Sequence, residues 1–199
     1  MTNLEYTELN PGVQKEKLCS LKVGKETADL FFYSSDIFGL EISTFNSMQP
    51  EHYARAISIL QTANGKVDTI IPVTATNGTR WGIQNHRAIF IGEFDEKKVR
   101  EAAKIKANDT VLVDLETKIN SIDGKPLGVL KRYSDTGIFV FSTNKPKISL
   151  TGRGPEVDIS VVSQLTHHMR SAGLQHISSI FSLYEGAKSD SFLIFASKQ

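Results

Sequence analysis

The chain has 199 residues, with 23 Lys+Arg against 22 Asp+Glu for a formal net charge of +1, and 40% hydrophobic and 23% charged residues. That composition is globular and excludes a disordered tail protein, while the near-zero charge excludes a chain coated in positive charge. With one cysteine, Cys19, neither an intramolecular disulfide nor a cysteine-built zinc site can form, which fits a reducing compartment.

The first residues, Met1-Thr2-Asn3-Leu4-Glu5, have neither the basic nor the apolar region of a signal peptide. No run approaches the ~20 apolar residues that span a bilayer. The expectation is a cytoplasmic protein with no membrane partner. Three strands are predicted first, over Leu18–Val23, Ala28–Tyr33 and Phe38–Thr44. A helix follows from Pro50, whose missing N–H costs nothing at the first helical position. Tyr53, Ala56, Ile57, Leu60 and Ala63 recur at helical spacing before Asn64-Gly65 stops it. Asn77-Gly78 supplies the two positive-φ positions of a hairpin turn between Val67–Thr76 and Thr79–Gln84. Asn85-His86 then leads into Arg87–Gly92, so residues 67–92 read as a three-strand meander. Pro72 cannot donate to a ladder and places its strand at an edge or a bulge.

A second helix opens at Asp95, a good N-cap, with Phe94 and Val99 in the positions of a hydrophobic staple. Asp123-Gly124 turns Thr110–Ile122 into Pro126–Tyr133, and Asp135-Thr136-Gly137 turns into Ile138–Ser142. A third helix runs from about Pro155 to Ala172, with Gly173 ready to end it. His176–Tyr184 and Ser191–Ala196 complete the chain as a last strand pair. The fold class is therefore α+β, predominantly antiparallel, with about eleven strands and three helices in a βββ-α rhythm. It forms one compact unit over residues 1–199, or two tightly packed subdomains with a boundary near 92–108.

Reactive chemistry finds little support. His167 and His168 are adjacent on a helix and so point about 100° apart, which does not suit chelation of one ion. Cys19 lies in an alternating stretch with Leu21 and Val23 and reads as core packing. No nucleophile elbow is present, and nothing calls for a metal or cofactor. Thr151-Gly152-Arg153-Gly154-Pro155 precedes the third helix, where Gly152, Arg153 and Gly154 could receive an anion, although Glu156 and Asp158 compete for the same donors.

Charge distribution is the sharpest signal. Residues 125–153 hold Lys125, Lys131, Arg132, Lys145, Lys147 and Arg153 against Asp135 alone, six cations to one carboxylate, for +5. Tyr133, Phe139 and Phe141 are interleaved, as on sheets that hold single strands of nucleic acid. Because Ile138–Phe141 is apolar on both faces, it reads instead as a strand buried twice, leaving Tyr133 as the surface aromatic. The second helix adds Lys97, Arg100 and Lys104 on one face. Arg80-Trp81 is an interface candidate if Trp81 is exposed, and ordinary core if Trp81 shares the face of a buried Ile83. The leading expectation is a non-enzymatic binding or regulatory module for nucleic acid or another polyanion. A protein-interaction or oligomerisation module using sheet edges comes second. An enzyme for a phosphorylated or carboxylated small molecule comes third.

Overall fold

The computed structural model describes residues 15–34, 36–42, 48–76, 83–143, 159–184 and 190–197. Its elements run β1 (Glu16–Val23), β2 (Glu26–Ser34), β3 (Ile37–Ile42), α1 (Pro50–Thr62), β4 (Lys66–Thr76), β5 (Ile83–Glu93) and α2 (Glu96–Lys106). They continue as β6 (Val113–Asn120), β7 (Pro126–Tyr133), β8 (Ile138–Thr143), α3 (Ile159–Ser171), β9 (His176–Tyr184) and β10 (Asp190–Ser197). The strands form two antiparallel five-stranded sheets, ordered β1-β2-β3-β5-β4 and β6-β7-β8-β10-β9. The architecture is thus mixed α+β and mostly sheet.

Ten strands are described, not eleven, because Asn85-His86 makes no turn. Asn85 pairs with Ala75, and His86 pairs with both Thr74 and Ile42, so β5 runs straight through between two neighbours. Without a glycine, Asn-His lacks the easy positive φ that would break a strand so placed. The rhythm differs as well. It is βββαββ twice, with α2 between the copies, rather than a helix after every third strand.

The two copies agree in detail. Each sheet has the same strand order, and each fourth strand carries an extra residue at the same place. Val67 and Thr69 face Gly92 and Ile91 around Asp68, as Ile177 and Ser179 face Ala196 and Phe195 around Ser178. In each copy the last strand ties back to the turn between the second and third strands, through Gly92 N–H to Asp36 O (3.1 Å) and Ala196 N–H to Gly137 O (2.9 Å). Gly137 is required there: its φ is +72°, and a Cβ would lie 2.1 Å from Ala196 O.

The copies stack in a fixed order. Phe38, Leu40, Ala88 and Phe90 of the first sheet pack with Ile57, Leu60, Val99 and Ala103 of α1 and α2. Ile138, Val140, Phe181, Leu193 and Phe195 of the second sheet join that same cluster, so α1 is wedged between the sheets. Tyr53 meets Phe181 with ring centroids 5.6 Å apart. On the other face of the second sheet, Phe139, Phe141, Phe192 and Ile194 pack with Leu165 and Met169 of α3. The apolar run Ile138–Phe141 is therefore buried on alternate sides, as expected of a strand buried twice. Where the sheets converge, the edge strands β4 and β9 are joined by Thr69 Oγ1···Ser179 Oγ (3.0 Å) and Ile70 N–H to Ser179 Oγ (2.9 Å).

The face of the first sheet turned away from α1 carries a charged cluster beside an apolar row of Phe31, Ile89 and Ile71. Glu41 is paired with Lys15 (2.9 Å) and Arg87 (3.4 Å) and accepts from the Tyr33 hydroxyl.

Local signals explain the helices. α1 begins with Pro50 as its first residue, and His52 Nδ1 accepts from Gln49 N–H at 2.9 Å. Its end is marked by Asn64 at φ +56°. In α2, Asp95 caps through Lys98 N–H (3.2 Å), while Phe94 packs edge-on against Phe38 at 4.9 Å. α3 ends at Gly173, φ +75°.

Candidate interaction surface

The cations singled out in the sequence occupy three situations. Lys97 and Lys104 are exposed on α2, but Arg100 turns away to bind Glu16 with two hydrogen bonds (2.5 and 2.7 Å). It also binds Glu96 one turn back and lies over the Phe32 ring at 5.5 Å. Those carboxylates push the Arg100 guanidinium further toward its charged form, and Arg100 in turn holds the Glu16 carboxyl below its ordinary range. On the second sheet, Lys125 pairs with Asp123 (2.6 Å), and Lys131 with Glu116 (3.5 Å). Arg132 grips Asp114 through Nε and Nη2 (2.8 and 2.7 Å), which lowers the Asp114 carboxyl. Lys145, Lys147, Gly152, Arg153, Gly154, Arg80 and Trp81 lie outside the described residues.

Counting charge along the chain missed this because strands sum their charge sideways. The basic stretch begins at residue 125, yet β7 pairs with β6, where Glu116 sits directly opposite Lys131. An opposite-charge pair across two strands is ordinary sheet stabilisation. Tyr133 is half-buried and packs against the larger core cluster.

Arg132 and Tyr133 do share a concavity. A cleft of about 380 Å³ lies where the copies meet, with Val67, Leu174 and Phe195 below and Lys66, Asp114, Arg132 and Asp135 around it. Its charged lining is balanced in sign, two cations to two carboxylates.

The reactive candidates stay separate. The His167 and His168 rings are edge-on at 5.7 Å, and burial followed by the His167 charge lowers His168. Among the described residues no group of three or more His, Cys, Asp or Glu is placed to hold a metal. Cys19 is half-buried, and desolvation pushes its thiol up to about 11.

What remains is the sheet rim. The two sheets have four edge strands, of which β4 and β9 meet each other. β1 carries Lys17 and Lys22, with Lys15 just before it, and is flanked by α2, which covers that edge. β6 differs. Among the described residues only β7 pairs with it, and three of the seven exposed large hydrophobic side chains lie on it or its flanks. These are Leu112 (70% exposed), Val113 (43%) and Ile122 (95%). The alternation of Val113-Asp114-Leu115-Glu116-Thr117-Lys118-Ile119 was a visible sign of a strand with one buried face. Only the topology makes it an edge.

No family model, curated protein or solved structure matches this chain.

Proposed function

We propose that the chain is a protein-interaction module that recruits an extended segment to the open edge of β6. The observation that carries this reading is that, among the described residues, Leu112, Val113 and Ile122 are exposed along a strand edge that neither the other sheet nor a helix covers. An unpaired edge offers a row of N–H and C=O groups to an incoming strand, and apolar neighbours supply the burial that main-chain hydrogen bonding lacks. The ion pairs of Arg100, Lys125, Lys131 and Arg132 support this reading over a polyanion surface, since phosphates would have to displace five carboxylates to reach them.

The test is selection of phage-displayed dodecapeptides on the immobilised protein, followed by amide chemical-shift mapping of the selected sequences. The reading expects shifts confined to residues 112–122. Peptides that perturb β1 or α2 instead, or a duplex DNA that binds at ~50 mM salt and is released as salt rises, would restore the polyanion reading.

A further inference from the structure

We infer that the segment β6 receives is β6 of a second copy of this chain, antiparallel and centred on Thr117. The inference rests on the interaction reading above and names its partner. An isologous contact of this kind joins the two second sheets into one continuous sheet about a two-fold axis.

The register follows from the strand itself. The ladder between β6 and β7 is irregular between Val113 and Leu115 and again between Ile119 and Asn120, which leaves Leu115–Ile119 as the regular stretch. Thr117 is its midpoint. At its far end the edge is already closed, because Gln164 of α3 accepts from Asn120 N–H and donates to Asn120 O. A pairing strand therefore has Leu115–Ile119 to use.

Self-pairing must also keep the faces matched. Ile119 is fully buried beneath α3, so registers that put α3 of the two copies on one side of the joined sheet are centred on a residue, not between two. Centred on Glu116, two carboxylates oppose each other. Centred on Lys118, two ammonium groups do. Centred on Thr117, Glu116 of each copy faces Lys118 of the other, Leu115 faces Ile119, and the threonines face each other. Opposite-charge and apolar cross-strand pairs each favour pairing, and like charges oppose it. Beyond the regular stretch, the same symmetry carries Leu112 of one copy toward Ile122 of the other. Those are two of the three most exposed large hydrophobic side chains described, and the contact gives both a reason to be apolar.

The exchange of Glu116 and Lys118 across the axis gives a direct experiment by light scattering on the full chain. The wild-type mass rises with concentration from 22.0 kDa toward twice that value. Glu116→Lys places like charges opposite each other twice, as does Lys118→Glu, so each variant alone stays monomeric while keeping the wild-type circular dichroism. Mixed in equal amounts, the two variants form a heterodimer, because both ammonium groups of the first variant then face carboxylates of the second. The double exchange in one chain restores self-pairing. A wild-type dimer whose mass ignores both single variants, or variants that fold but do not pair when mixed, overturns the proposal. A wild-type chain still monomeric at about 1 mM overturns it too. If that monomer takes selected peptides along β6, only the second-copy partner is lost; if it takes none, the interaction reading falls with it.

Discussion

His52 makes the fold sensitive to mild acid in a way that can be isolated. It sits in the first turn of α1, has no solvent exposure, and accepts the Gln49 N–H through Nδ1, which must be unprotonated to do so. Burial lowers its pKa to about 4; the nearby Arg55 charge pushes the same way, and the backbone carbonyls of Glu26, Leu21 and Gln49 push back. In the unfolded chain the imidazole titrates near 6.5. Above that value His52 is neutral in both states and contributes no pH dependence. As pH falls from 6.5 toward 4 the unfolded chain binds the proton and the folded chain does not, so stability drops. The loss reaches about 2 kcal/mol at pH 5 and about 3 kcal/mol below pH 4. Urea titrations at pH 7.5 and pH 5.0 would register the first figure as a fall of about 1 M in midpoint, for a slope of about 2 kcal/mol/M. His52→Gln keeps an acceptor for the Gln49 N–H but cannot titrate, so the midpoint of that variant moves less between the two pH values. The other histidines are common to both proteins and cancel. Equal acid shifts in wild type and His52→Gln would refute the reasoning.

Three further outcomes follow from single side chains. Arg55, 4% exposed, donates to the carbonyls of Lys22 and Ala107 and so ties β1 and the end of α2 to α1. Arg55→Met should cost about 2–4 kcal/mol in chemical unfolding by leaving those carbonyls unpaired; a loss under about 0.5 kcal/mol contradicts the tie. Gly137→Ala should destabilise by more than Gly124→Ala in thermal melts, because both have positive φ but only at Gly137 would the new methyl meet a backbone oxygen. Equal effects would mean that the turn is free to move away from β10. Cys19, with its thiol raised to about 11, should react with a disulfide reagent at pH 8 at least tenfold more slowly in the native protein than in urea. Comparable rates would place the thiol in water.

Much of the fold was legible wherever a local rule had one solution. Pro50, Asp95 and Gly173 marked helix ends because the groups left unpaired at a helix terminus admit few residue types. Pro72 allowed its strand only an edge or a bulge, and β4 is an edge strand. The unbroken apolar run Ile138–Phe141 marked a strand covered on both sides. Asn85-His86 was misread because turn propensity is weak beside a strand with partners on both edges. The duplication was hidden for a related reason: bulge position and strand order repeat, while the residues that occupy them, such as Asp68 and Ser178, do not. The candidate surface was the least legible part. Local charge along the chain ignores the neighbouring strand, so the acids of β6 that neutralise Lys131 and Arg132 stayed out of the count. Openness belongs to the sheet order and not to any motif, so β6 carried no mark of its own beyond alternation.

The account rests on β6 being an edge that fills when copies meet. Amide hydrogen exchange at two protein concentrations reads that strand directly, because pairing protects backbone groups that water otherwise reaches. Protection of residues 115–119 should rise with concentration while that of β1 stays constant. Exchange across 115–119 that does not change with concentration, or that changes equally in β1, would contradict it.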